Sequence, residues 1–252
     1  MEQTVFITGA TSGIGKASAK IFAKNGFKVV ICGRRTGRLK QLKEKLDTGS
    51  NIELLEFDVR NKEEVFAKID SLPTAFKNID ILINNAGNAH GLDTIDEGST
   101  EDWDAMIDIN VKGLLYVSKA IIPGMTERKK GHIINIGSVA GKEVYPKGNV
   151  YCASKFAVDA ISKSMRLDLN KFGIKVSEIN PGAVNTEFST VRFKGDEEKA
   201  DQVYRGFKPL SAKDIAEVIY FIATRPAHVN IAETLVFPTA QASASMINRI
   251  GD

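Results

Sequence analysis

Short apolar runs alternate with stretches of helical period along almost the whole chain. Thr4–Thr8, Lys28–Cys32, Ile52–Phe57, Ile79–Ile83, Gly131–Ile136, Gly173–Ile179 and Glu233–Phe237 have the length and content of strands. Between them, Lys16–Lys24, Leu39–Leu46, Lys62–Leu72, Thr100 to about Met125, Ala157–Asn170 and Ser211–Thr224 read as helices. Punctuation agrees with these bounds. Asn25 and Gly26 close the first helix, Pro73 follows the third, and Thr100 and Ser211 are capping-type residues. Asn110 and Gly113, inside the long fourth helix, invite a local kink. Residues 88–100 form a polar loop, and 185–209 are polar and poorly periodic, a candidate lid. No linker, repeat or low-complexity tract divides the chain. The pattern predicts one α/β domain over residues 1–252, with a doubly wound parallel sheet of about seven strands flanked by helices.

Composition narrows the class. The chain has 252 residues, 43% hydrophobic and 26% charged, which is ordinary for a globular protein with a sizeable core. A net charge of +3 is too nearly balanced to imply nucleic acid or an anionic membrane as partner. Cys32 and Cys152 are the two cysteines, which gives no disulfide framework and no metal site and suits a reducing compartment. His90, His132 and His228 lack metal-ligand spacing. With no signal-type start and no apolar run of spanning length, a cytoplasmic protein is expected.

Candidate chemistry sits at strand ends. The first strand runs into Gly9, Ala10, Thr11, Ser12, Gly13, Ile14 and Gly15, and a helix follows. Glycines let a backbone approach a pyrophosphate, and a helix amino end offers free N–H groups and a positive dipole. The second strand ends in Gly33, Arg34 and Arg35 with no carboxylate, which favours the 2′-phosphate of NADP(H) over the bare ribose of NAD(H). Asp58, after the third strand, could accept from an adenine amino group or cap the next helix. Asn84, Asn85, Ala86 and Gly87 leave room for a flat ligand, and their amides can tie strands together. Ser138 lies at the carboxyl end of the fifth strand. Tyr151 and Lys155 stand four residues apart on a helix, so phenol and ammonium share a face. A nearby cation lowers a phenol's pKa and suits it to move protons at a carbonyl or alcohol oxygen. Arg192 and Arg205, in the candidate lid, could pair with a substrate carboxylate.

Taken together and in order, Gly9-x-x-x-Gly13-Ile14-Gly15, Asn84-Asn85-Ala86-Gly87, Asn110, Ser138, Tyr151-x-x-x-Lys155 and Pro181-Gly182 resemble the short-chain dehydrogenase/reductase family. Leu72-Pro73, the stretch Glu187 to Asp196, and Arg225 to Ile231 are similar to the NADP-dependent 3-hydroxy acid dehydrogenase branch. One departure is Ser12, where many NADP-preferring members carry a basic residue. The resemblance implies a Rossmann-like fold, NADP as cofactor, a small 3-hydroxy or 3-oxo acid as substrate, and a homotetramer. It implies Tyr151 as acid/base, Lys155 on the nicotinamide ribose, Ser138 as donor to the substrate oxygen, and Asn110 holding a water. Cofactor contacts are then expected along Gly9 to Gly15, at Arg34, Arg35, Asp58, Val59, Asn85, Ala86, Gly87, Tyr151, Lys155, Pro181, Gly182, Val184 and Thr186. Substrate contacts are expected at Ser138, Tyr151 and Arg192. A broader carbonyl or 3-oxoacyl reductase is the nearest alternative, and a non-catalytic NADP(H) sensor a remote one.

Overall fold

A computed structural model describes residues 3–47 and 51–250. Its strands are β1 (Thr4–Ile7), β2 (Lys28–Gly33), β3 (Ile52–Glu56), β4 (Ile79–Asn84), β5 (Gly131–Ile136), β6 (Ile174–Pro181) and the later β9 (Glu233–Val236). They form a seven-stranded sheet in the order β3-β2-β1-β4-β5-β6-β9, with every pairing parallel. The expected doubly wound sheet is therefore observed. The two-residue strands β7 (Val184–Asn185) and β8 (Leu210–Ser211) pair separately.

Alternation along the strands sets the two layers. Val5, Ile7, Val29, Ile31, Ile81 and Ile83 face one core, packed under α1 (Gly13–Lys24), α2 (Thr36–Leu46) and α10 (Ala212–Ala223). Phe6, Val30, Leu82, Ile133 and Val176 face the other, under α3 (Lys62–Asp70), α6 (Gly113–Glu127) and α7 (Asn149–Leu169). The central strands β1, β2, β4, β5 and β6 are buried on both sides, as strands inside a parallel sheet are, while the edge strand β9 is partly exposed.

The differences from the sequence reading are local. Helix α1 starts at Gly13 rather than Lys16, and α2 at Thr36 rather than Leu39. A four-residue helix α4 (Thr74–Lys77), too short to show a period, follows Pro73. The long fourth helix is three pieces: α5 (Thr100–Ile107), a π-helical turn over Asp108–Lys112, and α6. The expected kink at Asn110 thus takes the form of a π turn, a local widening found often at functional sites. Within 185–209 the chain forms α8 (Glu187–Arg192) and α9 (Glu197–Gln202).

A buried amide ladder locks the sheet to its helices. Asn84 Nδ2 donates to Asn135 Oδ1 and to Ser118 Oγ, both at 2.9 Å, and Asn135 Nδ2 donates to Ser162 Oγ at 2.9 Å. The ladder joins β4, β5, α6 and α7. Asn135→Ala strands a buried donor of Asn84, so a loss of about 1–3 kcal/mol is expected in urea denaturation. A midpoint equal to that of the unmodified protein would show that water replaces the lost partner.

Candidate active site

The strand order reverses between β1 and β4, and ligands of open α/β sheets bind at the carboxyl ends beside such a reversal. A cleft of about 480 Å³ opens there. Gly9 turns the chain at its floor with φ +66°, and a Cβ at this position would come 2.9 Å from Asn85 Nδ2. Asn85 Nδ2 donates to the Thr8 carbonyl at 2.9 Å, while the Thr8 hydroxyl accepts from the N–H groups of Asn85 and Ala86. The glycine turn is thus held by the end of β4. No side chain caps the amino end of α1. Its first N–H groups are left for an anion.

At one end of the cleft the arginines are already engaged. Arg35 donates to Thr11 Oγ1 at 2.7 Å, to Ser12 Oγ at 2.9 Å and to Glu187 at 2.7 Å. Arg38 reaches the same Glu187 carboxylate at 2.5 Å. Burial works to raise the Glu187 carboxyl, but the hydrogen bonds from both arginines outweigh it and hold the group below the usual carboxylate range. The end of β2 carries no carboxylate of its own, yet the fold brings Glu187 to it from α8. Arg34 lies 3.6 Å from Asp58, which Arg60 also contacts at 2.7 Å. The cap of α3 is Asn61, whose side chain accepts from Glu64 N–H, so Asp58 is not the N-cap.

At the other end stand the proton-moving groups. Tyr151 and Lys155 occupy the first turns of α7, both buried, with Lys155 Nζ 6.0 Å from the Tyr151 ring centroid. Lys155 Nζ donates to the Ile136 carbonyl at 2.9 Å. Ser138 follows β5, and its N–H donates to Asn180 Oδ1 at 2.9 Å. Burial pushes the Tyr151 phenol up, and Tyr145 adds to this, while a hydrogen bond with Ser138 and the charge of Arg192 pull it down. The net shift is upward, which corrects the expectation of a lowered pKa: desolvation of the phenolate is the larger effect. In this state Tyr151 is a phenol at neutral pH, ready to donate. Burial brings Lys155 down to about 8, and the charge of Glu178 opposes the fall.

Arg192 and Asn110 complete this end. The Arg192 guanidinium lies 5.5 Å from the Tyr151 ring and 5.6 Å from the Tyr145 ring. Its Nε donates to the Gly91 carbonyl at 3.0 Å and an Nη to the Tyr145 hydroxyl at 2.9 Å. Arg205 does not line the cleft. Asn110 sits behind the wall. It receives the Asn88 N–H at 2.9 Å and donates to the Asn88 carbonyl at 2.8 Å and Ser154 Oγ at 3.0 Å. A Cβ added at Gly87 would lie 2.8 Å from Asn110 Oδ1 and 3.7 Å from Lys155 Nζ, so the π turn delivers this amide to the neighbourhood of the lysine.

The structure brings most of the expected residues to one cleft: Gly9, Thr11, Ser12, Gly13, Ile14, Arg34, Arg35, Asp58, Val59, Asn85, Ala86, Gly87, Ser138, Tyr151, Lys155, Pro181, Gly182, Val184, Thr186 and Arg192 line it. Ala10 and Gly15 do not. Ala10 is fully buried with its N–H on the Cys32 carbonyl, and Gly15 packs against the Gly9 carbonyl and Asn85. These two positions of the turn pack against the protein rather than the cleft. Tyr145, Glu187 and Gln241 line the cleft and were not singled out as site residues from the sequence; Phe188, one of the aromatic residues of 188–207 that could line a pocket, does so. Glu187 and Phe188 lie in the stretch that carried the resemblance, which was the available signal.

Comparison with known proteins agrees with this geometry. The short chain dehydrogenase family profile matches residues 3–197. A protein of Salmonella typhi named NADP-dependent 3-hydroxy acid dehydrogenase is 47% identical over 243 residues, covering 96% of this chain and 97% of that one. A protein of Chromohalobacter salexigens named sulfoacetaldehyde reductase 2 is 43% identical over 251 residues, covering 99% of this chain and 100% of that one. The closed form of a serine dehydrogenase complexed with NADP+ superposes with a TM-score of 0.94 at 45% identity, covering 97% of this chain and 98% of that one. The sheet order, the glycine turn and the buried Tyr151–Lys155 pair therefore stand on a chain that belongs to the short-chain dehydrogenase/reductase family.

Proposed function

We propose that the protein is an NADP(H)-dependent oxidoreductase that interconverts a small 3-hydroxy acid and its 3-oxo form. One observation carries the reading: the Arg192 guanidinium stands 5.5 Å from the ring of a buried Tyr151, in a cleft that Ser138 also lines. A fixed cation beside a proton donor suits a substrate with an anion close to its reacting carbon. The names of the relatives point the same way, since 3-hydroxy acids carry a carboxylate and sulfoacetaldehyde a sulfonate near the carbonyl. This favours an acid-specific enzyme over a broader carbonyl reductase.

The residues present fit a phosphorylated dinucleotide. The uncapped amino end of α1 and the open turn at Gly9 suit a pyrophosphate, and Arg34 and Arg35 suit a 2′-phosphate. Bound there, the nicotinamide would supply the hydride. Everything else falls to the chain's own side chains. Tyr151 gives the proton in reduction and takes it in oxidation. Ser138 donates to the substrate oxygen, where alkoxide character develops. Lys155 holds the nicotinamide ribose and its charge favours the phenolate. Asn110 positions a water that passes protons toward Lys155. Arg192 binds the acid group, with Tyr145 and the Gly91 carbonyl fixing its fork.

We also propose a homotetramer in a reducing, cytoplasmic setting. Support for assembly comes from the exposed apolar side chains Leu115 on α6 and Phe156 and Leu167 on α7. Support for the compartment comes from two buried free cysteines. Among the described residues no helix is long and apolar enough to cross a membrane.

Tyr151→Phe should lower kcat by ~10²–10⁴-fold with NADP(H) affinity retained. Near-full kcat on the best substrate would remove Tyr151 from the mechanism. Arg192→Met should raise KM for 3-hydroxy acids while leaving KM for uncharged alcohols unchanged, in a panel assay followed at the nicotinamide absorbance. An equal effect on charged and uncharged substrates would count against the anion site. Replacing Arg34 and Arg35 by Ala should cut the NADP(H) over NAD(H) preference in kcat/KM by roughly ten- to a hundredfold, as loss of one charged hydrogen bond implies. A preference that survives both changes would place 2′-phosphate recognition elsewhere.

A further inference from the structure

A second ionised cluster lies behind the wall of the cleft. Glu178 is on β6, opposite Asn135 of β5, and is fully buried. Its Oε1 packs so closely on Gly137 that a Cβ there would overlap it. The peptide that leads into Gly137 begins at Ile136, whose carbonyl takes Lys155 Nζ at 2.9 Å. The peptide that leaves Gly137 ends at Ser138. One glycine therefore separates the Glu178 carboxyl from two groups of the proposed chemistry.

The cluster has a definite charge inventory. Lys142, after β5, lies 3.6 Å from Glu178 Oε2, is 3.0 Å from Glu233 of β9 and pairs with Asp159 of α7. Asp159, one turn beyond Lys155 on α7, is also 2.7 Å from Lys163. Further along α7, Arg166 faces the Val176 and Ala232 carbonyls. No N–H or hydroxyl of the described residues hydrogen-bonds to either Glu178 oxygen. Asp159 becomes its hydrogen-bond partner when Glu178 carries a proton. Lys142 stands among the three carboxylates where a bound cation would sit, so the cluster is an internal ion network rather than a metal site.

We propose that Glu178 is a positioning residue for the reaction at Tyr151 and Lys155: its buried negative charge keeps Lys155 an ammonium. Burial raises the Glu178 carboxyl to about 7, with Lys142 opposing and Asp159 adding to the rise. Glu178 is thus charged over the pH range in which a buried Lys155, brought down to about 8, starts to lose its proton. Both groups are buried, and charges interact more strongly in such surroundings than in water. Glu178 acts on Lys155 and is not among the main groups acting on Tyr151. The ammonium in turn favours the Tyr151 phenolate that oxidation needs. This inference rests on the proposed roles of Tyr151 and Lys155.

The test is the pH profile of kcat/KM in the oxidation direction with NADP⁺. For Glu178→Gln the alkaline limb, where Lys155 loses its proton, is expected to move to lower pH by at least about half a unit, roughly threefold in the protonated fraction. Glu178→Asp should keep the limb near its original position. A Gln profile that superposes on the unmodified one after scaling overturns the proposal, because a merely structural role lowers activity at every pH alike. Should the Gln variant not fold, infrared difference spectra of the unmodified protein between pH 6 and 8 decide. A carboxylic acid carbonyl band that persists to pH 8 overturns the proposal, because Glu178 then carries no charge where Lys155 titrates, and a band that is lost by pH 8 or never present in the window supports it. Failure here leaves Tyr151→Phe inactive, whereas failure of the proposed chemistry leaves Tyr151→Phe active, so the two outcomes are distinct.

Discussion

Lys155 is the constraint around which the site is built. Its ammonium is buried, its one hydrogen bond among the described residues goes to a backbone carbonyl, and burial favours losing the proton. A fold that needs this charge must supply it with support that water would otherwise give. Several features are consistent with that demand. The carboxyl end of β5 offers the Ile136 carbonyl. The π turn sets Asn110 close by. Glu178 brings a negative charge from behind. Each comes from a different element, so the charge state of one side chain depends on the register of β5 against β6 and on the packing of α7 over both.

The phenol makes the same point with the opposite sign. Burial favours neutral Tyr151, so in this state it is a proton donor, which matches the reductive direction. Taking the proton back in oxidation requires nearby positive charge. Lys155 and Arg192 flank the ring at 6.0 and 5.5 Å, measured to its centroid. Arg192 therefore has two uses: it can hold an acid group, and it biases the phenol. A substrate anion bound to Arg192 would screen that bias, which ties substrate binding to the acidity of the catalytic group.

What could be read from the sequence was whatever short-range pattern decides. Strands with apolar runs and helices with a clear period were legible because burial on a regular element leaves a period behind. Gly9, Ser138, Tyr151 and Lys155 were legible because each sits at a fixed offset from an element end. That Ala10 and Gly15 lie off the cleft was not legible, because a turn's inward and outward residues look alike in sequence. Helix α4 left no pattern in four residues. Glu187 and Tyr145 acquire their roles only through closure of the chain: Glu187 meets Arg35 across 152 positions, and Tyr145 meets Arg192 across 47. No local signal encodes such a meeting. The upward shift of Tyr151 was illegible for the same reason, since burial is a property of the assembled fold.

The ion pairs at the two ends of the cleft differ in what they can do. Glu187 with Arg35 and Arg38 is more than 40% exposed on all three side chains, so each pair is worth only about 0–1 kcal/mol and weakens with salt. A dianionic 2′-phosphate can therefore compete for Arg35 at little cost, and Glu187, at the start of α8, would give up its hold on the turn after β2. The network at Glu178 is the reverse case. Its inner members Glu178, Asp159 and Lys142 are largely buried, and removing one leaves poorly compensated charge near the reacting groups. Exposure thus sorts the protein's charges into a set that can yield to a ligand and a set that holds the chemistry in place.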